Sequence, residues 1–238
     1  MKKLAIVVAI LGALGASWAG STWYVGQETE KKLQASIERS NLMLKQYYPQ
    51  LQDAKLELMD YNKGFLSATG AIKLTLPKDI FPADVAIPTD YKVLMDIQHG
   101  PVFMSGKQGL STGLSSIQSR LDTSTLKPEV QKQLNTLFSD KVPMSATTIL
   151  GFNNDDTYTV TVNPAHYENA ESNVSVNFAG MTFDGTSSLK KEGDKEIMSG
   201  PLSGKIGKVE IKGPDDLLIL LPESDIKGSA TNVVGGDL

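Results

Sequence analysis

The chain carries two histidines, His99 and His166, and no cysteine. A disulfide framework and thiolate metal sites are therefore ruled out. Neither histidine stands at ligand spacing from the other or from a carboxylate cluster, and each lies beside a turn-forming proline, Pro101 and Pro164. Such positions read as structural or exposed, so no metal ligand and no catalytic residue is assigned. His99, in the turn His99-Gly100-Pro101, is the better of the two for chemistry, and an envelope hydrolase built on it is a rival function. Asp155-Asp156 and Asp215-Asp216 diverge on an extended chain and read as turn residues and solubilising charge, not as acid/base pairs. No Gly-x-Ser-x-Gly elbow occurs. Gly200-Pro201-Leu202-Ser203-Gly204-Lys205-Ile206 approximates a phosphate loop, but it has three residues between its glycines where four are required. Ile206 also stands where the magnesium-binding hydroxyl belongs, so nucleotide binding is rejected and no cofactor is implied. Asn173-Val174-Ser175 matches a glycosylation sequon, which matters only on a eukaryotic secretory route.

The compartment in which these residues work is set by the start of the chain. Met1, Lys2 and Lys3 form a short cationic tail, and from Leu4 to Val25 no charge occurs. At ~1.5 Å per residue that segment spans ~33 Å as a helix, against ~30 Å for a bilayer core. Residues 1–3 are then a cytoplasmic tail, residues 4–25 a transmembrane signal anchor, and Trp23 and Tyr24 sit at the membrane interface. Ser17-Trp18-Ala19 ahead of Gly20 offers cleavage as the alternative, which would release a soluble binding module. A count of bases alone, with Lys31, Lys32, Arg39 and Lys45 after the span, favours the opposite orientation. The signal-like build and the interspersed Glu28, Glu30 and Glu38 favour the bulk of the chain outside. Gly12, Ala16 and Gly20, at four-residue spacing, would let two anchors associate.

Composition fits an exported domain. A formal net charge of -4 argues against nucleic-acid binding, for which a basic stripe is needed. Hydrophobic residues make up 40% and charged residues 21%, the balance of a folded chain.

Beyond the anchor, Leu33, Ile37, Leu44 and Tyr48 follow helical spacing up to Pro49, with Asn41 interrupting the stripe. Residues 26–48 are read as a juxtamembrane stalk helix, or equally as a helix packed on the sheet that follows. Residues 49–238 form a β-rich domain. Leu56 and Leu58, then Ile72, Leu74 and Leu76, alternate with polar residues, and Gly64 and Gly70 punctuate them as bends or bulges. Further strands are expected from Tyr91 to Ile97 and between Gly113 and Thr125. A short helix is expected over 128–138, with Pro128 in its first turn. Met144 to Leu150, a polar turn at Asn153 to Asp156, and Tyr158 to Val162 read as a hairpin. Val174 to Phe178, Met181 and Phe183 before Asp184-Gly185, Ile206 to Lys212 and Leu217 to Leu221 continue the series. The fold class is mainly β with some α: an N-terminal helix followed by an antiparallel, curled sheet with one short helix. The inward-facing Val160, Val162, Val176 and Phe178 are the candidate lining of an apolar groove. The chain is read as ending without a closing strand.

Four landmarks, in order, carry a resemblance. They are the apolar segment running into Trp23-Tyr24-Val25-Gly26, then Tyr61-Asn62-Lys63-Gly64-Phe65-Leu66-Ser67, then His99-Gly100-Pro101, and the strand from Gly204 to Lys212. Together they resemble the YdgA-like family, bacterial domain of unknown function 945, over nearly the whole chain. That resemblance implies an anchored protein of the Gram-negative inner membrane with a large β-rich periplasmic part, and it brings no catalytic residue. Tyr61, Gly64, His99, Gly100 and Pro101 are its motif positions. Gln98 precedes His99 where family members carry Asp, and family members run longer than this chain.

The expected function is non-enzymatic: a single-pass inner-membrane protein of envelope organisation, acting as a scaffold or cradling lipid in its sheet. Its expected partners are membrane lipid and an envelope protein, or a second copy held through the anchor helix. Nucleic acid and nucleotides are not among them.

Overall fold

A computed structural model describes residues 29–64, 67–80, 88–99, 102–105, 109–152 and 155–234. The anchor, with Trp23 and Tyr24, and the turn residues Gly100 and Pro101 lie outside these residues. Among the described residues, two α-helices and three antiparallel sheets form, and no helix is long and apolar enough to cross a membrane.

The largest sheet has nine strands. These are β1 (Lys55–Lys63), β2 (Ser67–Thr75), β3 (Asp90–His99), β6 (Ser115–Asp122), β7 (Met144–Leu150), β8 (Asp155–Val162), β11 (Met181–Glu192), β12 (Lys195–Ile206) and β15 (Ser224–Val234), and they pair in that order. Sequence neighbours are thus spatial neighbours, the cheapest topology for loop closure. A hairpin of β4 (Val102–Ser105) and β5 (Gly109–Thr112) is inserted between β3 and β6.

The strands alternate as half-buried strands must. Ile72, Val93, Met95, Ile97, Ile117, Leu121 and Met144 are each at most 5% exposed, while the residues between them face out. Glycines on this face sit under aromatic rings. A Cβ on Gly185 would lie 2.3 Å from the Tyr158 ring, and one on Gly204 would lie 2.2 Å from Phe183. Each aromatic stands directly opposite its glycine on the neighbouring strand, the pairing known to rescue glycine in sheets. Gly185 therefore continues β11 and does not end it. Gly70 likewise sits inside β2, with Tyr61 3.3 Å from where its Cβ would be. The bulge falls instead on β1, between Met59 and Asn62.

α1 (Thr29–Tyr47) takes the packed role and not that of a free stalk. Leu33, Ser36, Ile37, Ser40 and Leu44 are buried, and the three apolar ones join the sheet's core. Asn41 breaks the stripe because its amide serves as a strand substitute: it receives a hydrogen bond from Leu56 N–H at 2.8 Å and donates to Leu56 C=O at 3.0 Å. Six residues on, the Tyr47 hydroxyl does the same for Val233 on β15, donating to its C=O and accepting from its N–H. Arg39 adds an ion pair with Glu196 on β12. A flat sheet of nine strands would hold its edges about 38 Å apart, yet one helix reaches both. The edges β1 and β15 do not pair with each other, so the barrel is not closed.

α2 (Pro128–Phe138) forms where expected. Pro128 needs no N–H partner at the first turn, and Ser139 ends the helix in the left-handed region with φ 52°. Phe138 is buried, with Leu134 and Leu137 against the same core.

The third sheet is an extension of the first. β9 (Ala165–Asn169), β10 (Val174–Phe178), β13 (Val209–Lys212) and β14 (Leu218–Leu221) are ordered β14-β13-β10-β9. Each continues a strand of the large sheet: β9 follows β8, β10 leads into β11, β13 follows β12 and β14 leads into β15. Two residues interrupt each strand at the same level, Asn163-Pro164, Ala179-Gly180, Gly207-Lys208 and Pro222-Glu223. The register is unbroken across this crease: Ala179 N–H donates to Lys208 C=O at 2.9 Å, and Gly207 N–H donates to Gly180 C=O at 2.7 Å. Gly180, with φ +90°, supplies a backbone conformation that L side chains rarely adopt.

The segment 195–206, which shows no apolar period in the sequence, is a strand. The structure also corrects two further expectations. Ser224–Val234 is a closing strand, paired along its whole length with β12. Asp155 and Asp156 open β8 and are not a turn, and Asp156 is 4% exposed.

Candidate functional site

Two places gather the residues that could carry function. The first is a polar row on the buried face of the large sheet. His99 stands opposite Ser115, Ser115 opposite Leu150, and Leu150 opposite Asp156. His99 Nε2, Ser115 Oγ and Asp156 Oδ2 are buried without a hydrogen-bond partner. Asp156 Oδ1 accepts the Gly151 N–H at 3.3 Å. Burial pushes its carboxyl up to about 7, the Gly151 hydrogen bond pulls it down, and Asp155 adds to the rise. Histidine, serine and aspartate share a row, yet they make no relay. Three inter-strand steps separate His99 from Asp156, about 14 Å, whereas a nucleophile, base and orienting acid must touch in sequence.

His166 is engaged elsewhere. Its Nδ1 lies 2.6 Å from Asn177 Oδ1 on the polar face of the smaller sheet, the structural and exposed role expected of it. Tyr61 packs against the core beside Gly70. Gly64 N–H donates to Ser67 C=O at 2.7 Å, and a Cβ there would meet that same oxygen at 2.7 Å. Among the described residues no group of His, Asp and Glu is arranged to hold a metal ion.

The second place is the smaller sheet and the edge it shares with β15. Tyr167, Val176, Ile211 and Ile219 stand opposite one another across its four strands, and so do Ala165, Phe178, Val209 and Leu221. The intervening rows are polar until they reach β14: His166, Asn177, Glu210, then Leu220; Glu168, Ser175, Lys212, then Leu218. The last strand is therefore apolar on both faces, at an edge with no neighbour among the described residues. Leu217, Leu218, Ile219, Leu220 and Leu221 are 45%, 59%, 39%, 51% and 54% exposed. A depression of about 350 Å³ lies at the sheet's far end, between Glu168, Asn173 and Lys212 on one side and Asp216, Leu217 and Leu218 on the other.

The four residues expected to line a groove are not brought together in one. Val160 and Val162 lie on β8 and are sealed in the core of the large sheet, while Val176 and Phe178 lie beyond the crease on β10. Val176 is buried and Phe178 packs against the core. The open apolar surface lies two strands further on, at β14. Its signal was in the sequence: Leu217 to Leu221 is apolar at every position, where a half-buried strand alternates.

Comparison with known proteins places the chain in a family of unknown function. A family model described as a bacterial protein of unknown function, DUF945, matches residues 1–232. Protein YdgA of Escherichia coli strain K12 is 23% identical over 97% of this chain and 45% of its own length. The uncharacterized protein YihF of the same strain is 25% identical over 66% of this chain and 33% of its own. The chain thus spans less than half the length of these curated relatives. No solved structure matches.

Proposed function

The chain belongs to the DUF945 family of bacterial proteins of unknown function, and on that footing we propose that it is a non-enzymatic scaffold of the bacterial envelope. In this reading residues 4–25 hold it in the inner membrane, the curled sheet lies in the periplasm, and a partner adds a strand to the β14–β15 edge. One observation carries the reading: four consecutive apolar residues, Leu218 to Leu221, are exposed on an edge strand that is apolar on both faces. Such an edge offers free backbone donors and acceptors beside apolar side chains, the combination that strand addition uses.

A second reading, a lipid cradle, is favoured by the one-sided apolar rows of the smaller sheet ending at Ile219 and Leu221. A photo-cross-linking residue at position 220 of the full chain in cells separates the two. Protein adducts at 220, absent from a matched probe at the exposed Lys190, support the scaffold. Adducts with lipid alone support the cradle and refute strand addition. Intact mass of the same protein tells an anchored chain from one cleaved after Ala19. The hydrolase built on His99 has no partner geometry in its favour.

A further inference from the structure

We propose that the strand added to β15 comes from a second copy of this chain, paired antiparallel about a two-fold axis at Ile226. This rests on the strand-addition reading and names its partner.

The backbone of β15 shows which of its groups are free. Both the N–H and the C=O of Val233 turn away from β12, since Tyr47 binds them. Antiparallel ladders alternate in direction with period two, so the groups of Asp225, Lys227, Ser229 and Thr231 also turn outward. α1 covers this outer edge at Val233, and residues 224–231 are all exposed.

Charge then selects the register. In an antiparallel self-pairing centred on a residue, positions equally far before and after it face each other. Centring on Ser224 sets Glu223 against Asp225 of the other copy; centring on Asp225 or on Lys227 sets a residue against its own like charge. Centring on Gly228 leaves both charges facing neutral residues. Centring on Ile226 alone sets Asp225 opposite Lys227, twice, once on each side of the axis. Opposite charges stabilise cross-strand pairs and like charges destabilise them. Asp225 lies opposite Lys205 and Lys227 opposite Ser203 on the β12 side, so Lys227 has no acid facing it within its own sheet. Ser224 and Gly228 face each other in this register, and a side chain added at Gly228 would meet nothing within 4 Å. An isologous two-fold contact of this kind closes on itself and does not run on into a fibre.

The cysteine-free sequence makes the test clean. With outward groups at odd positions, Ile226 faces its own copy at a non-hydrogen-bonded site, where Cα atoms approach to ~4.5 Å, within disulfide range. Ile226→Cys in the full chain should form a disulfide-linked dimer on mild oxidation. Gly228→Cys should not, because its two copies stand about 13 Å apart along the strands. In the Ile226→Cys background, Asp225→Lys should cut the dimer yield at least tenfold. Adding Lys227→Asp should restore it, with circular dichroism unchanged throughout. Failure of Ile226→Cys to cross-link, equal cross-linking by Gly228→Cys, or indifference to Asp225→Lys overturns the proposal. If the probe at position 220 still captures protein while Ile226→Cys stays monomeric, the second copy is refuted and the scaffold stands. If both are silent, both readings fall.

Discussion

The strands β3, β6 and β7 and the strands β14 and β15 are all held by antiparallel pairing, but their apolar residues meet opposite fates. In the first group Met95, Ile97, Ile117 and Met144 are at most 1% exposed, sealed by the sheet and by residues of α1 and α2. In the second, Leu218 to Leu221 and Ile226 are 36–59% exposed. Alternation says that a strand has a face to cover, not whether its own chain supplies the cover. Here the chain covers the middle of the sheet and, through Asn41 and Tyr47, parts of both its edges. Among the described residues, nothing pairs with the outer side of β14 or with most of the outer side of β15.

This contrast can be broken from either side. The largest effect is expected in the sealed region: Ile117→Ala removes a fully buried side chain and should cost about 2–5 kcal/mol of unfolding free energy by chemical denaturation. An effect of similar size should follow pH. The raised Asp156 carboxyl keeps its proton in the fold after the unfolded chain has lost it. The contribution of Asp156 to stability is then greatest below pH ~4, falls as pH rises, and levels off above about 7. Asp156→Asn should flatten this slope, stabilising the protein at pH 8 by up to ~4 kcal/mol with little change at pH 4. Next in size, Asn41→Ala removes both hydrogen bonds to Leu56 and leaves that backbone unpaired under the helix, for about 1–3 kcal/mol. The smallest effect belongs to the open edge. Leu218→Lys should shift the unfolding free energy by no more than ~0.5 kcal/mol, while abolishing the protein adducts formed by the probe at position 220.

Much of the large sheet was legible because its middle strands alternate cleanly and its polar turns are short. α2 was legible because proline at its first turn and the spacing of Leu134, Leu137 and Phe138 agree. The segments around β12 and β15 were not, since Ser, Gly and Pro carry no apolar period. Gly204 follows from the Phe183 ring that lies over it, a tertiary fact absent from local sequence. The crease had left a trace: the apolar positions change parity between Val162 and Ala165, Phe178 and Met181, Ile206 and Val209, and Leu221 and Ser224-Asp225-Ile226. A slip in the period of two at four strands marks a shared interruption. The candidate groove was misplaced because alternation points to the strands best covered. The open surface lies where alternation fails altogether.

The most direct measurement is residue-resolved hydrogen exchange on the dilute full chain. The outward amides of Asp225, Lys227, Ser229 and Thr231 should exchange quickly, those at the centres of β3 and β6 slowly, and raising the protein concentration should slow only the first group. Equal protection of both groups in the dilute chain would contradict the account, because it would mean that the chain already covers its own edge.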